Sequence, residues 1–231
     1  MLHKRPCHSS CINFNKNSFE RAFWKLNQSV CGIDEVGRGC LAGPVVSAAV
    51  ILPVGKINPL LKDSKIMSEK EREKAYAWIV KHCYYAVGIT HNRFIDEHNI
   101  WQATLMSMKK AYMHVLAKTP TPPSAVLIDA MPLNFAGTCH QNTVFHYFPK
   151  GESLSSSIAA ASIVAKVTRD RMMHQFDAIF PGYHLNDNKG YGTEQHQAAL
   201  LIKPASVIHR NSFLGSIHTK KESHATQQSF C

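Results

Sequence analysis

The sequence predicts an α/β or α+β layered domain built on a mixed sheet. Two observations carry this: three strand-like runs follow one another early in the chain, and helices then alternate with strands. A third is that 45% hydrophobic content in 231 residues suffices for one substantial core. Ahead of the first strand, Phe19, Ala22, Phe23 and Leu26 form an amphipathic patch suited to a short helix. Residues 30–35 and 45–52 read as a hairpin, since Gly37, Gly39, Gly43 and Pro44 between them are turn and close-approach residues. A helix is announced at Ser68, where Ser68 and Glu71 have capping-box spacing and Ala75, Trp78, Ile79 and His82 follow at helical intervals. Residues 84–90 make a third strand. Residues 96–116 form a long helix with Ile100, Leu105, Met108, Tyr112 and Leu116 as its buried stripe. Pro120, Pro122 and Pro123 stop the chain before a fourth strand, 125–129, and residues 144–148 make a fifth. Residues 155–176 are helical again, and 158–165 are small and apolar nearly all round, which predicts burial against the sheet at close range. A loop bracketed by Gly182, Gly190 and Gly192 precedes a last helix, about 193–202, that ends before Pro204, and the polar residues 216–231 are expected to be disordered.

Composition narrows the function. The longest apolar runs, 45–52 and 158–167, fall well short of the roughly 20 residues a membrane-spanning helix needs, and the first 18 residues lack the apolar stretch of a secretory signal. The cytoplasm is therefore the expected location. Seven scattered cysteines fit reduced thiols rather than a disulfide framework. Cys7 and Cys11, with His3 and His8, are read as no more than half a zinc site, because no second ligand pair follows. Lysine plus arginine exceed aspartate plus glutamate by 26 to 16, a formal charge of +10, which favours a polyanionic partner, nucleic acid foremost.

The acids mark the chemistry. Asp34 and Glu35 end a strand that should be central, Asp129 ends another apolar strand, and Glu152 follows a strand and opens the small-residue helix. Ionised carboxylates in such surroundings must pair, protonate or bind a cation. Several oxygen ligands at the strand ends of one sheet suit magnesium or manganese. Asp170 is read differently, as pairing with Arg169 or Arg171.

GIDEVGRGCLAGPVVSAAVIL, residues 32–52, is similar to the opening signature of ribonuclease HII, the type 2 ribonuclease H family. Further matching motifs follow in order: Asp63-Ser64-Lys65, residues 95–100, Ile128-Asp129-Ala130, Lys150-Gly151-Glu152-Ser153, residues 158–171, Lys189-Gly190-Tyr191-Gly192-Thr193, and His209-Arg210-Asn211-Ser212-Phe213. The resemblance covers roughly residues 30–213. It implies a ribonuclease H-like α/β fold, a mixed five-stranded sheet flanked by helices with a small helical C-terminal extension. The implied division is an N-terminal extension (1–28), a catalytic domain (29–180), a junction-binding part (181–215) and a tail (216–231).

The activity implied is hydrolysis of the RNA strand of RNA–DNA hybrids and cutting 5′ of ribonucleotides embedded in duplex DNA, with work in ribonucleotide excision repair and DNA replication. Asp34, Glu35, Asp129 and Glu152 would be both the catalytic residues and the ligands of two divalent ions, Mg2+ or Mn2+. Gly37, Arg38 and Gly39 would read the ribose 2′-hydroxyl through their backbone, and Tyr191 would stack on the sugar at the RNA–DNA junction. Lys65, Ser153 and Arg171 are candidate phosphate contacts, whereas Lys166 could as easily be a helix-surface residue and is left out. A monomer is expected, and contact with a replication clamp stays open, the C-terminal residues 228–231 being read as an unstructured end. Glu152 departs from the family's usual aspartate, although relatives of the HIII kind carry glutamate there. Asn188 stands for a frequent histidine and Ala130 for a frequent glycine. Two rivals are a non-catalytic RNA–DNA hybrid binder, opposed by the retained acids, and a phosphoacceptor receiver domain, opposed by the initial hairpin.

Overall fold

The computed structural model describes residues 16–133, 143–215 and 217. The Cys7–Cys11 segment and the tail beyond residue 217 lie outside the described residues, so the expectations for them do too. Strand β1 (Val30–Val36) and strand β2 (Val45–Ile51) form the expected hairpin, antiparallel from Cys31↔Ile51 to Val36↔Val46. Strand β3 (Tyr84–Thr90) pairs antiparallel with β2. Strand β4 (Ala125–Asp129) lies parallel to β1, and β5 (Val144–Phe148) parallel to β4. The result is a mixed five-stranded sheet in the order β3-β2-β1-β4-β5.

Both faces are covered, which is why β1 and β2 are buried along almost their whole length. One face packs on α3 (Asn92–Leu116), with Cys31, Ile33, Ala49, Val126 and Ile128 meeting Met108, Ala111, Tyr112 and Val115. The other carries α2 (Glu69–His82) and α5 (Ser156–Ile179). The capping box of α2 is present as read: Glu71 N donates to Ser68 Oγ, and Glu71 Oε2 accepts from Ser68 N. The small side chains of α5 serve the close approach expected of them. A Cβ on Gly32 of β1 would lie 2.1 Å from the Ser157 carbonyl carbon, so the helix backbone rests almost directly on the strand.

Two expectations need correction. The buried residues of α3 are Ile95, Ala103, Thr104, Ser107, Met108, Ala111, Tyr112 and Val115; of the expected stripe Met108 and Tyr112 are among them, while Ile100, Leu105 and Leu116 are only partly buried. The sheet needs small residues opposite it: a Cβ on Gly88 of β3 would lie 1.9 Å from Ser107 O, and Ser107 Oγ lies 2.6 Å from Ser47 Oγ of β2; Asn99, at φ 70° and ψ 166°, interrupts the helix ahead of this stretch. Glu152 does not open α5. It sits in a separate turn, α4 (Gly151–Leu154), because Ser155 leaves the helical region at φ −134° and caps α5 by accepting from Ile158 N.

The N-terminal helix α1 (Ser18–Trp24) docks at this junction. Asn17 Oδ1 accepts from Ser156 N, and the fully buried Glu20 accepts from Ser155 Oγ and Ser157 N. Asn17 N also donates to Leu154 O, so α1 braces the turn that carries Glu152. The C-terminal part, α6 (Leu185–Asn188), α7 (Glu194–Ile202) and a 3-10 turn (Asn211–Phe213), packs Tyr183, Leu185, Leu200 and Leu214 against Met173 of α5 and Ala42 of the loop after β1 in one small core. Backbone bridges Cys40↔Tyr191 and Ala42↔His209 join it to the loop after β1. No helix of the described residues is long and apolar enough to cross a membrane.

Candidate active site

Strand register builds the centre of the site. β1 and β4 run parallel with Ile33 opposite Ile128, so the next position on each strand sets Asp34 beside Asp129 at the sheet's carboxyl edge. Glu152 arrives from α4, and oxygen atoms of Asp34, Asp129 and Glu152 all lie within 4.8 Å of one another. Glu35, the next residue on β1, projects differently. It lines the adjoining cleft and pairs with Arg38, whose Nη1 is 3.4 Å from Glu35 Oε1. Three of the four expected acids thus converge, and the fourth stands at their edge.

Supporting bonds fix the carboxylates one oxygen at a time. Gly151 N donates to Asp129 Oδ1 at 2.9 Å, and Glu35 N to Asp34 Oδ1 at 2.8 Å. Ser162 Oγ of α5 donates to Glu152 Oε1 at 3.1 Å and accepts in turn from Ser64 Oγ at 2.8 Å. Lys65 Nζ reaches the same Glu152 oxygen at 3.3 Å. The second oxygens of Glu35 and Glu152 are buried with no hydrogen-bond partner.

Burial, reinforced by the charges of Glu35, Glu152 and Asp129, pushes the Asp34 carboxyl well above its usual range. Burial also raises Glu35 against the opposing pull of Arg38. Glu152 is raised by burial and by the neighbouring Asp63 carboxyl, with Lys65 opposing. Crowded, desolvated carboxylates with orphaned oxygens fit hard divalent cations, which take several oxygen ligands and relieve the repulsion.

Two clefts flank Glu152. One, about 260 Å³, is lined by Glu35, Ser64, Lys65, Glu152, Ser162, Lys166 and Tyr191; the other, about 480 Å³, by Asp63, Lys65, Asp129, Ala130, Lys150, Glu152 and Ser153. The larger groove of about 840 Å³ between α2, α5 and α6 shares Arg72 with the first cleft and touches none of the four acids. The candidate phosphate contacts are therefore divided. Lys65 and Ser153 stand at the acids, Ser153 donating to Lys150 O at 2.8 Å. Arg171 lies in the larger groove, 2.6 Å from Glu73 Oε2 and stacked over Tyr76. Asp170 pairs with Lys166 at 2.9 Å, not with Arg169 or Arg171, because one helical turn aligns positions i and i+4. Lys166, left open on the sequence between a phosphate contact and a helix-surface residue, faces the cleft, 5.9 Å from the Tyr191 ring.

The two glycines around Arg38 have different reasons. Gly37 has φ +91°, and a Cβ there would lie 2.3 Å from Arg169 Nε, so the fold itself demands glycine. Gly39 is exposed with nothing within 4 Å of its missing Cβ, so no packing accounts for it. Tyr191 is 38% exposed beside this loop. His196 Nδ1 lies 2.9 Å from the Tyr191 carbonyl oxygen, and Asn188 holds the turn, its Oδ1 accepting from Gly190 N at 2.7 Å and its Nδ2 donating to Tyr183 O. Asn188 thereby braces the loop, the role its place before Lys-Gly-Tyr suggests. Ala130, in the place of a frequent glycine, has φ +53°, the left-handed region that glycine occupies without strain.

Sequence reasoning missed Arg169 and Arg210. Both are fully buried beneath the 37–44 loop. Basic residues inside the segments 158–171 and 209–213 were visible, but nothing in a single sequence marks a buried arginine whose acceptors are backbone carbonyls far along the chain.

Residues 31–216 match the family model described as ribonuclease HII. The ribonuclease HII of Ligilactobacillus salivarius is 44% identical over 205 residues, covering 86% of this chain and 75% of the relative. That of Levilactobacillus brevis is 42% identical over 197 residues, covering 84% and 72%. Among solved structures, ribonuclease H2 from Pyrococcus horikoshii superposes with a TM-score of 0.70 at 22% identity, over 84% of this chain and 99% of that one. A Bst RNase HIII solved in complex with Mn2+ gives 0.68 at 21%, over 87% and 71%. An Archaeoglobus fulgidus RNase HII, solved in complex with PCNA, gives 0.64 at 22%, over 81% and 96%.

Proposed function

Because the chain belongs to the ribonuclease HII family and is a ribonuclease H, a hydrolase, we propose that it cuts the RNA strand of RNA–DNA hybrids and the 5′ side of ribonucleotides embedded in duplex DNA. The observation that carries this reading is the convergence of Asp34, Asp129 and Glu152 within 4.8 Å next to a glycine loop whose Gly39 is exposed. Asp34, Glu35, Asp129 and Glu152 would hold two divalent ions, Mg2+ or Mn2+. When bound, such ions activate water and offset charge at the leaving 3′ oxygen, giving 5′-phosphate and 3′-hydroxyl ends.

The chain's own residues orient and select. The backbone of Gly37, Arg38 and Gly39 reads the 2′-hydroxyl, the group that separates RNA from DNA. Tyr191 stacks on the sugar at the junction. Lys65, Ser153 and Lys166 stand where scissile-strand phosphates would pass, while Arg171 meets phosphates of the flanking duplex along the larger groove. Ribonucleotide excision repair and DNA replication are the processes such cutting would serve, and a sliding clamp, the partner seen with the archaeal neighbour, is the first protein to test. The non-catalytic alternative has no support in a site that keeps all four acids.

The test is incubation of an RNA–DNA hybrid with the wild type and Asp34→Asn in Mg2+ or Mn2+, and with EDTA. Cleavage is expected in the first case alone. Cleavage that survives EDTA or Asp34→Asn would overturn the assignment of the acids.

A further inference from the structure

Arg169 and Arg210 are both fully buried, and neither forms an ion pair among the described residues. Buried guanidinium groups need partners, and here the partners are carbonyl oxygens. Arg210 Nη2 donates to Gly37 O at 2.6 Å, Nη1 to Arg38 O at 2.8 Å, and Nε and Nη2 to Gly43 O at 3.0 and 2.9 Å. Arg169 Nε donates to Pro44 O at 3.0 Å, Nη2 to Ala42 O at 3.0 Å and Nη1 to Lys189 O at 2.7 Å. Two residues from distant parts of the chain thus gather the 37–44 loop and the segment entering Tyr191 on one cationic floor. Arg169 also lies 5.8 Å from the Tyr191 ring.

The peptide plane turns this floor into a device. In a trans peptide the carbonyl and the following N–H point in opposite directions, and the described residues include no cis peptide bond. Drawing the Gly37 and Arg38 carbonyls down onto Arg210 therefore turns the N–H groups of Arg38 and Gly39 upward. Neither amide has a hydrogen-bond acceptor among the described residues, and Gly39 is exposed. From this geometry we infer that Arg169 and Arg210 are positioning residues for ribonucleotide recognition: without touching substrate, they aim the Arg38 and Gly39 amides at the sugar and lock Tyr191 beside them. The inference rests on the reading of residues 37–39 as the element that senses the 2′-hydroxyl. Lysine would keep the charge but lacks the planar fork that spans three carbonyls.

The test is fluorescence anisotropy in EDTA, where no cleavage occurs, with duplex DNA holding one ribonucleotide and with the identical all-DNA duplex. The wild type should prefer the ribonucleotide duplex by roughly 10-fold or more, the worth of hydrogen bonds lost or gained at such a group. Arg210→Lys and Arg169→Lys should bring the two affinities to within about 2-fold by misdirecting the amides that tell the duplexes apart; a general loss of stability would instead weaken both duplexes alike and leave the ratio unchanged. A variant that keeps the wild-type preference overturns the inference alone. A wild type with no preference overturns the reading of the loop, and the inference with it. Should the variants not fold, amide exchange in the wild type decides: protection of Arg38 and Gly39 by the ribonucleotide duplex, and not by the all-DNA duplex, supports the inference, and equal protection by both contradicts it.

Discussion

The acid cleft and the floor of the 37–44 loop meet the same physical problem with opposite signs. Around Asp34, Asp129 and Glu152 carboxylates crowd together with buried oxygens left unpaired. Under the loop, Arg169 and Arg210 lie buried without an acid in hydrogen-bond contact, yet each of their side-chain nitrogens donates to a backbone carbonyl. The protein completes the second arrangement itself and leaves the first to be completed from outside. Chemistry in the acid cleft should therefore vary with cation and pH, whereas the geometry of the loop should be permanent.

The sharpest way to break the comparison is Asp34→Asn. Cleavage should fall by roughly 1,000-fold or more, as when a group acting only in the transition state is lost, measured as single-turnover rates. The same change should raise the thermal midpoint of the metal-free protein at neutral pH, because it removes a charge whose burial opposes folding. The sign for the wild type follows. Asp34, Glu35 and Glu152 have folded values raised above their ordinary 3.8 to 4.5, so the folded state binds more protons above that range. Stability in EDTA should fall as pH rises from about 4 through the raised values, and Mn2+ should restore it at neutral pH. A thermal midpoint in EDTA that climbs over that window would contradict the account.

Smaller changes sharpen the contrast. Glu152→Asp draws the carboxylate back by one methylene from Asp34 and Asp129 and should slow cleavage by about 10- to 100-fold, the scale of an ångström of misplacement, on hybrids and single ribonucleotides alike. Tyr191→Ala should cost roughly 10-fold on single-ribonucleotide duplexes, the scale of one lost stacking contact, and less on long hybrids. Equal losses on both substrates would remove the junction role from Tyr191. Ala130→Gly, next to Asp129 but outside the ligand set, should stabilise the fold by about 0.5–1 kcal/mol by relieving its positive φ, read from denaturant melts.

The legible parts of the molecule are those where pattern and chemistry coincide. Asp34 and Asp129 show themselves as acids ending apolar strands, and the small residues 158–165 announce a helix pressed on the sheet. Legibility ends where a partner is distant or is backbone. Nothing near Arg210 in sequence reveals that its acceptors are Gly37, Arg38 and Gly43, more than 160 residues away. Lys166 and Arg171 are both basic residues on one helix, and only the packing of α5 between α2 and Tyr191 sends one to the cleft and the other to Glu73. The stripe of α3 is legible in its large residues, Met108 and Tyr112, but not in the small ones, Ser107 and Ala111, which face the sheet only because Gly88 brings β3 close to the helix.

A substrate that needs both regions tests the account most directly: duplex DNA carrying a single ribonucleotide, incubated with the wild type in Mg2+ or Mn2+ and with the products mapped to the nucleotide. One cut is expected, on the 5′ side of the ribonucleotide, leaving 5′-phosphate and 3′-hydroxyl ends. An intact duplex with either metal, or cutting that ignores the position of the ribonucleotide, would contradict it.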